Sequence, residues 1–288
     1  MAETMTCYRH PDRETGVSCS ECGRGICPDC MVFAPVGIRC PDHSGKPQGA
    51  ARVTSGMRRA TYEGTGALVT KGLIAVNVLV FFANLAQGSS LNRTSGSIYD
   101  KGALFVSNPF LQGGLADGQW WRLITATFLH GNLLHIGMNM FVLWIVGAPV
   151  EQAIGRGRFL ALYVVGGLAG SAGAILLDPN VPTVGASGAI FGILGAALIL
   201  ESQRNYVLGG SALSFIVINL VLTFAIPNIS VGGHLGGLAG GALGTLALSR
   251  FGRSHAIYGR PGLIGAVGLA AVGLASVAVA YWRVQGLA

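Results

Sequence analysis

Charge is scarce in this chain. Only 11% of its 288 residues are Asp, Glu, Lys or Arg, where a soluble domain carries about 25%. With a mean hydropathy of +0.56, that excludes an ordinary water-soluble protein and leaves a polytopic membrane protein. Cysteine is missing beyond Cys40, so neither disulfides nor thiol chemistry are available to the apolar part. Carboxylates are missing from the interior of the apolar segments that carry the other polar residues; Glu151, Asp178 and Glu201 all stand at predicted ends. The H-E-x-x-H pattern is absent, which argues against a membrane metallohydrolase built on His130, His135 and His234. Met1 to Asp12 is polar and reads as no signal peptide. The net charge of +7 is spread over loops between apolar segments, so no nucleic-acid partner is expected.

Glycine, by contrast, is abundant at 45 residues, which suits close helix packing in lipid. Seven apolar segments, near 68–87, 133–151, 158–177, 185–201, 211–226, 231–249 and 262–282, approach the roughly 20 residues that cross a bilayer. The sequence therefore predicts an all-α multi-pass protein of the cell membrane, with the lipid bilayer as its solvent. Arg52, Arg58, Arg59 and Lys71 precede the first span. Arg156 and Arg158 follow the second, Arg204 the fourth, and Arg250, Arg253 and Arg260 the sixth. With seven spans these fall on one side, which the positive-inside rule makes cytoplasmic. Arg93, Lys101 and Arg122 in the long first loop are the exceptions. Glu151 is expected to pair with Arg156 or Arg158 at the cytoplasmic end.

The cysteines come in pairs with histidine: Cys7-x2-His10, Cys19-x2-Cys22, Cys27-x2-Cys30 and Cys40-x2-His43. Eight ligands at these spacings make two closed tetrahedral Zn²⁺ sites, and a disulfide framework would leave both histidines unexplained. Pairing of the first with the third and the second with the fourth is preferred, though spacing alone leaves sequential pairing open. A cytosolic location keeps the thiols reduced. The expected organisation is a zinc-binding domain at 1–46, a flexible basic linker at 47–66, a catalytic core at 67–250, and a loop with the seventh helix at 251–288.

Orientation supplies a depth test. The second, fourth and sixth spans all enter from the outer side. His135 and Asn139 start the second, Ser187 the fourth and His234 the sixth, each within roughly two turns of the surface. Polar residues inside a membrane default to a functional reading. A serine needs an adjacent base, and His234 is the candidate, giving a dyad with its site near the extracytoplasmic side. His135 and Asn139 share a helix face and could, with the Ser187 N–H, stabilise an oxyanion. Gly188 and Gly192 form one G-x3-G and Gly237 and Gly241 another, which permits backbone approach or simply packs helices. The loop run Trp120-Trp121-Arg122-Leu123-Ile124 fits either an aromatic belt or a structured element beside the site.

These motifs carry two resemblances. The N-terminal spacing resembles a B-box-type zinc finger, which implies protein contacts and a cytosolic protein as partner. Trp121-Arg122, His135-x3-Asn139, Gly185-Ala186-Ser187-Gly188 and Gly233-His234-x2-Gly237-x3-Gly241 resemble the rhomboid family of intramembrane serine proteases over about 68–250. That resemblance implies a six-helix core, here with a seventh helix, and substrates that are transmembrane segments of other proteins. It implies no catalytic cofactor, so Zn²⁺ would be structural. It makes Ser187 the nucleophile, His234 the base, and His135, Asn139 and the Ser187 N–H the oxyanion site. Many members carry tyrosine four residues after the serine; here Phe191 keeps the ring and drops the hydroxyl.

Overall fold

The computed structural model describes residues 5–33, 37–43, 66–203, 205–249 and 263–287. The expected basic linker, with Arg52, Arg58 and Arg59, lies outside the described residues, as do Arg204, Arg250, Arg253 and Arg260. The chain divides into two compact units, Met1–Arg58 and Arg59–Ala288.

The first unit is a pair of two-stranded antiparallel hairpins. β1 (Met5–Thr6) pairs with β2 (Glu14–Thr15), and β3 (Val32–Phe33) with β4 (Ile38–Arg39). A single 3-10 turn, Pro28–Cys30, lies between the hairpins. Its buried cluster is Ile26 and the sulfurs of Cys7, Cys19, Cys27, Cys30 and Cys40. So small a core cannot hold the fold by apolar burial alone.

The second unit is helical: α1 (Leu68–Ala86), α2 (Ser97–Gly102), α3 (Arg122–Thr125), α4 (Leu133–Ile154), α5 (Arg156–Leu177), α6 (Ser187–Ser202), α7 (Ala212–Ala225), α8 (Val231–Leu248) and α9 (Leu263–Gln285). Among the described residues α1, α4, α5, α8 and α9 are long and apolar enough to cross a membrane. The fourth and fifth predicted spans are shorter, 16 residues in α6 and 14 in α7. Local chemistry trims both. Gly185 at φ +127° breaks the chain just before α6, and Pro227 forces Ile226 into the extended region and stops α7. Exposed Leu213, Val217, Ile218, Val221 and Phe224 leave α7 with a lipid-compatible face.

Helix α5 is central and packs against α6, α8 and α9. Phe159, Leu162, Ile193 and Leu194 are fully buried in the main cluster. Pro149 would crowd the carbonyl one turn back in a regular α4; the widened π turn at Leu143–Gly147 relieves that. Glu151, 2% exposed, faces the start of α1 rather than water. Its oxygens accept from the Val69 N–H at 2.9 Å, the Thr70 N–H at 2.7 Å and the Thr70 hydroxyl at 2.7 Å. The carboxylate expected to serve an ion pair is thus the N-terminal cap of the first span, where the helix dipole favours it.

Candidate active site

Three helix starts converge. Asn132 caps α4, its side-chain oxygen accepting from the His135 N–H at 2.8 Å. Ser230 caps α8 by accepting from the Gly233 N–H at 3.1 Å. Each cap stands one turn before a histidine and fixes its depth. Ser187 is the first residue of α6, whose N-terminus has no side-chain cap. The expectation that His135, Asn139, Ser187 and His234 all lie near helix starts agrees with this placement.

The helices carrying Ser187 and His234 meet backbone to backbone. A Cβ at Gly237 would overlap the Gly188 carbonyl, and one at Gly241 the Gly192 carbonyl. Ser187 and His234 are chain neighbours of glycines in this seam. Gly170 of α5 closes it from a third side: its Cβ would come within 2.9 Å of the Gly188 Cα and 3.0 Å of the Gly233 oxygen. Phe191, one turn along α6 from Ser187, stacks on the His234 ring at 4.2 Å between centroids and 19° between planes. The ring stack therefore forms without a tyrosine hydroxyl. Ser187 and His234 themselves share no hydrogen bond among the described residues. Catalytic bonds often tighten only when substrate is bound.

Gly185 brings His135 to the serine. At φ +127° its backbone is one that side chains avoid. A Cβ there would sit 2.7 Å from His135 Nε2 and 3.7 Å from Ser187 Oγ, so the space it leaves is shared by both groups. The His135 Nδ1 accepts from the Gly131 N–H at 3.3 Å. Its proton is therefore on Nε2, the nitrogen that faces this space. Asn139 donates one amide proton to the His135 carbonyl at 3.0 Å and keeps the other free of any bond among the described residues. Ser187 and His135 are half-buried, whereas Asn139 and His234 are each 7% exposed.

The first loop holds the serine turn. Leu104 and Thr183 exchange hydrogen bonds at 3.0 and 2.8 Å, and the Gly185 N–H reaches the Ala126 carbonyl at 2.9 Å. Arg122, 1% exposed, donates to the Ala103 carbonyl at 2.6 Å, the Gln112 carbonyl at 3.3 Å and Gln119 Oε1 at 2.8 Å. Its guanidinium lies 4.6 Å over the Phe105 ring. Half-exposed Trp121 donates to the Lys101 carbonyl at 3.0 Å. Of the two readings of this loop, the structured element is the one that forms.

Two further residues stand near the site. His130 is fully buried and its Nε2 accepts from the Ala186 N–H at 3.5 Å, beneath the serine turn. Thr223, 2% exposed on α7, contacts His234 Nδ1 at 2.6 Å. A lone threonine in an apolar span gives no signal in sequence.

In the N-terminal unit the eight predicted ligands fall into two groups. Cys7, His10, Cys27 and Cys30 form one, and Cys19, Cys22, Cys40 and His43 the other, with donor atoms within 4.8 Å of one another. The first pair joins the third and the second joins the fourth. His10 Nδ1 lies 3.7, 3.3 and 3.4 Å from the Cys7, Cys27 and Cys30 sulfurs. His43 Nδ1 is 3.1 Å from Cys40, and the Cys22 and Cys40 sulfurs are 3.9 Å apart. Zn–N and Zn–S lengths in a tetrahedron require about 3.5 Å between N and S and about 3.8 Å between sulfurs, so the donor sets fit that metal. All six cysteines are free of disulfides. Burial raises the Cys7 thiol, but donation from backbone N–H groups and His10 outweighs it and brings Cys7 to about 6, toward the thiolate a metal needs. Burial and the neighbouring Cys7 and Cys27 sulfurs hold Cys30 up at about 11.

Apolar helices seamed by glycine, with Ser187 at the start of one and His234 in the first turn of another, define a class of membrane protein, and comparison with known proteins agrees. The family signature described as the Rhomboid domain matches residues 117–251. The rhomboid protease GluP of Bacillus subtilis is 38% identical over 179 residues, 61% of this chain and 34% of that one. YdcA of the same organism is 36% identical over 135 residues, 45% of this chain and 68% of that one. RHOMBOID-like protein 5 of Arabidopsis thaliana is 39% identical over 142 residues, 46% of each chain. The chain belongs to the rhomboid family and is a multi-pass membrane protein. It spans about a third of the length of GluP.

Proposed function

We propose that this chain is an intramembrane serine endopeptidase that hydrolyses peptide bonds in or near transmembrane segments of other membrane proteins. The observation that carries the reading is the approach of the Ser187 and His234 helix starts across a seam of glycine backbone. Membership in a family with rhomboid protease relatives supports the same activity.

Ser187 Oγ attacks the scissile carbonyl as its proton passes to His234 Nε2. The imidazolium then protonates the leaving amine, and a water activated by the same nitrogen hydrolyses the acyl-enzyme. The tetrahedral oxygen accepts from His135 Nε2–H, from the free Asn139 amide proton and from the Ser187 N–H at the uncapped start of α6. No carboxylate takes part and no catalytic cofactor is required. In this reading the N-terminus is cytoplasmic and the site lies toward the extracytoplasmic side, which the basic residues of the loops support. Trp121 and Arg122 brace the first loop behind the serine, and Gly185, Gly188, Gly237 and Gly241 hold the approach. Phe191 supports the histidine ring. Domain limits at 1–46, 47–66, 67–250 and 251–288 are part of this reading.

The N-terminal unit holds two structural Zn²⁺ ions, one in each ligand group, in a B-box-like arrangement. It serves to contact a cytosolic protein or a substrate.

The deciding experiment is cleavage of a transmembrane substrate by the purified full chain in liposomes. Wild type should cleave and Ser187→Ala should not; equal rates would remove Ser187 as nucleophile. In the same assay His135→Ala or Asn139→Ala should each lower kcat by about 10²-fold, as loss of one oxyanion donor does. Unchanged kcat in both would take the oxyanion site elsewhere. Gly185→Ala should lose cleavage by about 10²-fold, because its methyl group crowds His135 Nε2 and strains a backbone held at φ +127°. A fully active Gly185→Ala protein would show that the space is not used.

A further inference from the structure

We propose that Thr223 is a positioning residue: with the Asn219 carbonyl it fixes the proton of His234 on Nδ1 and leaves Nε2 as the basic nitrogen. The proposal rests on the reading of His234 as the base for Ser187.

The argument is a count of protons. The Thr223 hydroxyl has two close partners, the Asn219 carbonyl oxygen at 2.7 Å and His234 Nδ1 at 2.6 Å. A hydroxyl owns one proton. The carbonyl can only accept, so the hydroxyl proton goes to Asn219. The hydroxyl oxygen then has lone pairs alone to offer His234, and Nδ1 must be the donor. The opposite assignment would set two oxygens 2.7 Å apart with no hydrogen between them. An imidazole with its proton on Nδ1 presents a bare Nε2. That is the form a serine base needs, and an imidazole with the proton on Nε2 cannot accept from the hydroxyl.

Threonine in an apolar helix commonly bonds back one turn, which accounts for the Asn219 contact by itself. It does not account for the second contact, which crosses from α7 to α8. Nor does apolar packing place Thr223 there. Only Ala212, Ile216 and Thr223 of the 14 residues of α7 are buried. The buried contact at this end of the helix is made by a hydroxyl and an imidazole. His135, by contrast, takes a backbone N–H on Nδ1 and carries its proton on Nε2. The two histidines at the site are thus held in opposite tautomers, one set to donate and one set to accept.

The test uses the purified full chain, an alkyl fluorophosphonate and liposome cleavage. In labelling, the Ser187 oxygen bonds phosphorus, the P–F bond breaks, fluoride leaves and the hydroxyl proton passes to His234. Thr223→Val keeps the side-chain shape without the hydroxyl; Thr223→Ser restores the hydroxyl. We expect labelling about tenfold slower or more in Thr223→Val, and within about threefold of wild type in Thr223→Ser. The loss should fall on kcat with KM unchanged. Nitrogen-15 spectra of labelled imidazoles, assigned with His234→Gln, should show the His234 proton on Nδ1 in wild type. In Thr223→Val it should move toward Nε2. Wild-type labelling rates in Thr223→Val overturn the proposal while leaving the dyad intact. Slow labelling with the proton still on Nδ1 also overturns it, since the effect is then structural. Should Thr223→Val not fold, a wild-type proton on Nε2 overturns it. Equal labelling of wild type and His234→Ala would instead refute the underlying base assignment.

Discussion

The double variant Ser187→Ala/His234→Ala will cleave a transmembrane substrate no more slowly than Ser187→Ala alone. A nucleophile and its base act as one unit, so removing either forfeits the attack and removing both forfeits nothing more. In a soluble serine protease each such loss costs on the order of 10⁴- to 10⁶-fold in kcat. The same scale is expected here, to the limit of detection. Two features of the site make this sharp. The seam between α6 and α8 is built of backbone, so truncating either side chain leaves the helix approach intact. Phe191 loses its stacking partner only in the histidine variant, so any difference in stability between the two singles should appear there. Rates that multiply, with the double variant slower than both singles, would mean that the two residues act separately.

Chelation will unfold the N-terminal unit and spare cleavage. Structural zinc contributes about 10–16 kcal/mol in small zinc-binding peptides, more than this unit can replace. Apart from cysteine, its buried apolar cluster holds Ile26 alone at full burial. Stripping the metal from the full chain should expose residues 5–43 to limited proteolysis and to thiol alkylation at all six cysteines. Returning Zn²⁺, but not Mg²⁺, should reverse both. Cleavage of a generic transmembrane substrate should persist, because none of the eight ligands belongs to the helical unit. A unit that keeps its protease resistance after chelation would have to be held by something other than metal.

Most of the helical unit is readable in sequence because lipid makes helix the one economical backbone and apolar length its signature. The segment near 231–249 becomes Val231–Leu248, and that near 68–87 becomes Leu68–Ala86. The fourth and fifth spans are harder, because their ends are set by single residues, Gly185 and Pro227, inside otherwise continuous apolar runs. Ser187 and His234 stand out since a polar group in such a run needs a reason. Gly170 does not, because one glycine among many reveals its contact only when three helices are brought together. Thr223 is hidden for a related reason: threonine satisfies itself within a helix, and its second bond belongs to tertiary structure. Glu151 is visible in sequence, but the N–H groups of α1 that it accepts from are not, because they lie 81 and 82 residues away.

The order of the helices has a consequence for biosynthesis. The groups at the site belong to α4, α6 and α8, and α7 supplies Thr223, so they emerge from the ribosome one after another. A nascent chain that has delivered Ser187 to the membrane must be extended by about 47 residues before His234 exists. At usual elongation rates that takes on the order of several seconds. Throughout that interval the bilayer holds a serine without the histidine proposed as its base, and an α6 whose glycine edge has no α8 to meet. Under the proposed mechanism, a chain that stalls or is truncated before α8 is inert rather than unregulated.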